Sequence, residues 1–510
     1  MSLKGGGVYS VFTGWIECMK RFGMALFLFL AIGCSGLSAE EFTYWDSGPN
    51  GSVSVFSKPW QGCEYLVYEY APWWGQSYAP HLNRDTPWGY ECYILVVGGW
   101  GHHIGTIVKR TVSCEDGATL NYATAQCSFN GQKGAEDDEL SCKSPSMQVG
   151  NPINAATGNK FQYEEDFRVG VISPIVVGRY YNSMDGLWRH SYSSALNVGA
   201  DFVVLVRSDG RESLFKLADG KYSSATDLGS LIATDSGWTF KSLDGSVMGF
   251  SESGQLAKVV SPQGLVHNVS RDKYNVTVTN EFGQSVKFAD DILGQLKALE
   301  SGVTKIQYAY QAQRLTGLSK NVNGITSTRS YHYEDTRNAG LLTGITDERG
   351  VRFATWSYDD RGRAISSQHS GGAGLTQIVY NADGSSSVTN ELGKTTVYRY
   401  KQIDGVKRII AIEGEPTPNC PASNSTYTYN SQGQILTKTD AKGQITNYSY
   451  NARGLEVSRT EAAGTAVART TSTEWDPDRS LPIKVIEPNR ITAYSYDSQG
   501  RELTRQVTSR

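Results

Sequence analysis

The residues of this chain whose types could do chemistry crowd into its first third. Cys63, Cys92, Cys114, Cys127, Cys142 and Cys420 are left once the leader described below is set aside, and five of them fall between residues 63 and 142. An even set of this kind in an exported chain favours disulfides. At most two bridges form inside the crowded segment. Cys420 then either reaches back to the fifth cysteine or stays free, and the sequence does not fix the connectivity. His102-His103 is the only adjacent histidine pair. Neighbours on a strand point to opposite faces, so the pair does not read as a metal site. Glu136-Asp137-Asp138-Glu139 offers oxygen ligands for a hard cation but reads as a solvated acidic linker. Trp73 and Trp74, among Trp45, Trp60, Trp88 and Trp100, could stack on sugar rings; the simpler reading makes them the core of a small β domain. His-Glu-x-x-His, Gly-x-Ser-x-Gly and Walker patterns are absent, and His81, His190, His267, His332 and His369 stand singly. No catalytic residue, cofactor or metal ligand is nominated, and the chain is read as non-enzymatic.

The elements that must carry these residues change character along the chain. Residues 40–145, rich in Trp and Cys, read as a small β-rich module stapled by disulfides. The second half is a tandem repeat, marked by Tyr358-Asp359-x-x-Gly362, Tyr380-Asn381-x-x-Gly384, Tyr429-Asn430-x-x-Gly433, Tyr450-Asn451-x-x-Gly454 and Tyr496-Asp497-x-x-Gly500. The tyrosines recur about every twenty residues or a small multiple of that, the sign of a repeat architecture. Between most of them sits a second turn, as in Asp347-Glu348-Arg349-Gly350, Asn390-Glu391-Leu392-Gly393 and Asp440-Ala441-Lys442-Gly443. Asp or Asn opens such a turn by bonding the backbone ahead of it, and Gly takes the positive φ. Glycines about ten residues apart leave one strand and one tight turn per hop. Tyr427-Thr428-Tyr429, Tyr448-Ser449-Tyr450 and Tyr494-Ser495-Tyr496 put two aromatics on one face, with Ile435-Leu436 and Leu503 expected to complete the buried layer. The expectation is an all-β protein.

Trp356-Ser357-Tyr358-Asp359-Asp360-Arg361-Gly362-Arg363 and Tyr494-Ser495-Tyr496-Asp497-Ser498-Gln499-Gly500-Arg501-Glu502-Leu503 resemble the YD repeats of RHS (rearrangement hot spot) and teneurin-like proteins. Gly150-Asn151-Pro152-Ile153-Asn154 and Arg179-Tyr180-Tyr181-Asn182 resemble the region that precedes such repeats in RHS proteins. The resemblance implies that the strands wind into a spiral β-sheet, part of a hollow shell that often surrounds a C-terminal toxin. It gives an RHS-like region over 146–244 and YD repeats over 245–510. RHS proteins that release a toxin end the shell with a motif containing Asp-Pro-x-Gly. Trp475-Asp476-Pro477-Asp478 lacks the glycine and sits where a repeat has Tyr-Asp, so it reads as a degenerate turn. The repeat stops short of its next glycine, and the expectation is a C-terminally incomplete array.

Lys20-Arg21, the apolar run from Phe22 to Gly33 and Ser38-Ala39 fit a secretory signal over residues 1–39, with Met19 a candidate start. Cleavage after Ala39 is favoured over lipidation at Cys34; the run is too short for a membrane span. A net charge of −3 gives no reason to expect nucleic-acid binding. The combined expectation is a secreted, periplasmic or surface scaffold for toxin delivery or cell-surface contact. Its partners would be a toxin domain or a downstream-encoded RHS chain. The alternative is an adhesin that binds wall or surface glycans through 40–145, with the repeats as a stalk.

Overall fold

The computed structural model describes residues 40–46, 55–56, 59–70, 84–86, 89–96, 100–115, 117–121, 125–135, 145–291, 293–414 and 424–510. The leader with Cys34, Trp73 and Trp74, the acidic run 136–139, Cys142 and Cys420 lie outside them. The protein is all-β. From Ala195–Val198 to Glu502–Ser509, thirty strands form one sheet, each antiparallel to the strand before it and in strict sequence order.

One turn chemistry drives this meander. At Asp359 the backbone N–H donates to the Arg363 carbonyl (2.9 Å) and the Gly362 N–H returns to the Asp359 carbonyl (3.0 Å). The Asp359 carboxylate accepts the N–H groups of Arg361 and Arg363 at 3.0 and 2.9 Å. Gly362 has φ +74°, which a side chain disfavours. The same bonds recur at Asp347, Asn430, Asn451 and Asp497.

The ribbon coils back on itself. Lys241 Nζ donates to the Asp478 carbonyl at 2.8 Å, 237 residues further along. Gly454 fits beneath Leu228, and Gly500 beneath Pro262. Inside this first circuit lies a plug. Its hairpin, Phe161–Val169 with Ile175–Asn182, is joined by Trp188–His190. Ile153, Ile175, Val177, Tyr181 and Trp188 share one core with Phe215, Val276, Leu299, Ile345 and Trp356 of the sheet.

Residues 40–114 add a five-stranded sheet in the order Val55–Phe56, Glu40–Asp46, Trp100–Cys114, Gly89–Val96, Arg84–Thr86. It carries a helix, Pro59–Tyr70, that the turn spacing did not predict. Proline is tolerated in the first helical turn, and Cys63 and Leu66, three residues apart, pack on Cys92 and Ile107. Phe42 meets Phe202 of the large sheet with ring centroids 4.7 Å apart. Ala39–Arg510 forms one compact unit. One packing expectation is corrected: Ile435 is buried, but Leu436 and Leu503 are 38% and 63% exposed. Strand alternation turns Leu436 away from Ile435, and Leu503 likewise follows Glu502, the residue paired with Tyr496.

Candidate functional site

The repeat tyrosines form a chain of clamps. Tyr358, Tyr429, Tyr450 and Tyr496 each sit at a β-bulge, where the register slips by a residue just before the turn. A bulge leaves a backbone group out of the ladder, and a buried carbonyl needs a donor. The next aromatic supplies it. Tyr380 OH donates to the carbonyl of Ala364, the residue opposite Tyr358. Tyr450 OH donates to that of Ile435, opposite Tyr429. Tyr429 and Tyr496 do the same for Ile409 and Pro482, at 2.6 and 2.8 Å. Trp475 keeps the series intact, its indole N–H donating at 2.8 Å to Glu456, opposite Tyr450. The small residues between aromatics pair across the other face, as in Thr428 with Thr437 (2.7 Å) and Ser495 with Thr504 (2.6 Å). After the glycine, Arg363 lies 4.1 Å over the Tyr380 ring. Burial pushes the Tyr380 and Tyr429 phenols well up. Asp476 caps its own turn through the N–H groups of Asp478 and Arg479 and pairs with the Arg479 guanidinium, so its carboxylate is a turn cap.

The plug is locked to the sheet by buried charge. Arg179, 1% exposed, bonds Asp166 through Nε (2.5 Å), Glu164 through Nη2 (2.8 Å) and the Tyr331 hydroxyl (2.8 Å). Trp188, Tyr308 and Tyr331 surround the guanidinium at 4.9–5.4 Å. Tyr331 also donates to Glu164, Tyr308 donates to Asp166, and Arg329 pairs with Glu164 at 2.9 Å. Burial works against the charged arginine, but Asp166 above all outweighs it and holds the group protonated. Further along, Tyr181 OH donates to the Gly340 carbonyl and Trp188 Nε1 to Tyr333 OH. Lys160, wholly buried 4.2 Å from the Trp356 ring, has its amine pulled well below the usual lysine range by burial. Ser173 is 2% exposed, its hydroxyl held between His267 Nε2 and Glu281 at 3.2 Å each, which makes it part of the joint.

A second buried cluster joins three segments. Lys133 Nζ lies 3.0 Å from Asp185 Oδ2 and 2.6 Å from Glu212 Oε1, with side-chain exposures of 1%, 1% and 8%. Thr119 Oγ1 donates to the other Glu212 oxygen at 2.7 Å. Arg189 Nη1 and the Leu187 N–H reach Asp185 at 2.9 and 3.1 Å. A cavity of about 160 Å³ adjoins it, lined by Asn121, Lys133, Leu187, Arg189 and Glu212 among others. Of the nominated cysteines, Cys63 bonds Cys92 and Cys114 bonds Cys127. The exposed His103 ring lies 3.3 Å from Thr106 Oγ1. Among the described residues no group of three His, Cys, Asp or Glu could hold a metal ion, and no helix is long and apolar enough to cross a membrane.

Sequence reasoning did not find the clamps or either charge cluster. Two carboxylates, Glu164 and Asp166, on one face of the otherwise apolar-edged strand Phe161–Val169 were the available signal for the first.

Residues 429–466 match the family model for the RHS Repeat, over the strands where the clamp series is continuous. The chain thus carries RHS repeats. Residues 150–215, the plug and the first strands, match a domain of unknown function, DUF6531. Among curated proteins, the double-stranded DNA deaminase toxin A of Burkholderia cenocepacia is 24% identical over 372 residues. That match covers 72% of this RHS chain and 24% of the relative, so the chain spans about a quarter of the relative's length. Similar solved structures include the TcdB2-TccC3 complex, at 12% identity, 82% of this chain, 23% of that one and a TM-score of 0.29. The Photorhabdus luminescens Tc holotoxin pore matches at 12% identity, 66% and 19% coverage and a TM-score of 0.31. The sequence match relates this repeat-bearing chain to a protein named as a toxin.

Proposed function

We propose that this RHS-repeat protein is an exported, non-enzymatic scaffold whose coiled sheet forms part of a shell wall used in toxin delivery or cell-surface contact. The observation that carries the reading is the first circuit of the ribbon, closed at Lys241–Asp478 and filled by a plug whose buried charges are spent on the sheet. Most of the strongly perturbed titrating groups, Arg179, Tyr331, Tyr308 and Lys160 among them, serve packing and pairing. The two disulfides suit an oxidising compartment. The relative's name supports association with a toxin.

The test is made in the producing bacterium. Fractionation and surface proteolysis should find the chain beyond the inner membrane; retention in the cytoplasm would overturn export. Deleting the gene should abolish killing of neighbouring cells or attachment to them. Unchanged killing and attachment would sink the scaffold role. Incubation of the purified chain with double-stranded DNA should yield no uracil.

A further inference from the structure

The Lys133–Asp185–Glu212 cluster is unusual among the ion pairs of the molecule in being an amine, a carboxyl group and a second carboxylate in contact, all buried. Its plainest reading is a buried salt bridge. Holding an ammonium and a carboxylate out of water is costly, and a neutral link between them would remove that cost. We propose that Lys133 and Asp185 become joined by an intramolecular isopeptide bond, with Glu212 carrying the proton.

The geometry supplies each part. Lys133 Nζ lies 3.0 Å from Asp185 Oδ2, one covalent bond away from the carboxyl carbon it would attack. Glu212 Oε1, 2.6 Å from Nζ, takes a proton from the ammonium and frees the lone pair. Thr119 fixes the orientation of Glu212 by donating to its other oxygen. The amine then attacks the Asp185 carbon. Charge building on the Asp185 oxygens is met by the Leu187 N–H and Arg189. The C–N bond forms as one C–O bond breaks. Oδ2 leaves as water, with one proton returned by Glu212 and one from the attacking nitrogen. Ammonium plus carboxylate thus become amide plus water, Glu212 ends as it began, and no oxidant or cofactor is required. The adjoining cavity, where Asn121, Asn197 and Arg189 offer polar groups, has room for the released water. The product would tie the 119–135 segment to the plug region covalently, in a form that reducing agents do not open.

Peptide mapping of the full-length protein after reduction, denaturation and trypsin tests this. The expected product is a branched peptide joining Thr111–Lys143, uncut at Lys133, to Tyr180–Arg189, lighter than the two together by one water. Recovery of only a peptide ending at Lys133 and a free Tyr180–Arg189 overturns the proposal. Glu212→Gln keeps the shape of the site and should leave the link unformed in freshly purified protein. A full yield of branched peptide from that variant would remove Glu212 from the reaction. Lys133→Arg keeps the charge and should give no branched peptide. If either variant fails to fold, the native map alone decides.

Discussion

At the scale of single residues, burial separates charges that matter from charges that do not. Arg179 has two carboxylates and two tyrosines around it and almost no solvent. Arg179→Met strands Asp166 as a buried charge and leaves Glu164 to Arg329 alone, and breaking such a buried pair costs about 3–5 kcal/mol. Urea unfolding should show a loss of that order. Adding Asp166→Asn should recover part of it, because the stranded charge goes too. Asp291 behaves differently. Burial raises its carboxyl to about 6, despite N–H bonds from Gln295 and Leu293 that favour the anion. The folded state then holds the proton more tightly than the unfolded chain, whose Asp titrates near its ordinary value of about 3.9. The contribution is fully present below that value and is lost as pH rises through about 6. Its size is up to ~3 kcal/mol. Asp291→Asn should flatten the urea midpoint's dependence on pH between roughly 4 and 7; an unchanged slope would assign the titration elsewhere. Asparagine fits this kind of turn, since Asn280 and Asn430 bond Gln284 and Gln434 four residues on.

At the scale of the element, the hairpin with its clamp is the unit, and the sequence shows half of it. The Asp/Asn-x-x-Gly turns are legible because all their bonds close within five residues, as between Asp359 and Arg363. The strands and their order follow from those turns. The clamp is not legible, because Tyr450 reaches a carbonyl 15 residues back that only the bulge at Tyr429 makes available. The plug lock is harder still, since Glu164 and Tyr331 are 167 residues apart and their pairing exists only once the ribbon has coiled. The helix Pro59–Tyr70 escaped because its apolar face is supplied by few residues, Cys63 and Leu66 among them. The clamp makes a direct prediction. Tyr429→Phe keeps the ring and removes one hydrogen bond to a carbonyl, which costs about 1 kcal/mol. Trp475→Phe should cost a similar amount by losing the bond to Glu456. A Trp475→Phe protein as stable as the native one would show that the series is not continuous there.

At the scale of the whole molecule, neighbouring strands are equivalent in the sheet but not in what backs them. From Val276 to Tyr358 the inward side chains are buried against the plug, while in the strands from Ile445 onward most positions are half-buried or exposed. A sheet whose strands touch mainly their sequence neighbours is a nearly one-dimensional stack, so local stability should follow the local backing. Native-state hydrogen exchange should therefore be slowest in strands such as Asn275–Asn280 and Arg352–Tyr358, and fastest in Glu502–Ser509, where every residue is exposed. The plug is what makes the difference, and it can be weakened without touching a strand of the large sheet. Arg179→Met should speed exchange in Thr304–Gln311 and Ile325–His332, which carry Tyr308 and Tyr331, and leave Ile445–Tyr450 close to its native rate. Equal acceleration along the whole ribbon would mean instead that the circuit unfolds as one cooperative body, with the Lys241–Asp478 seam transmitting the loss from the first circuit into the strands stacked upon it.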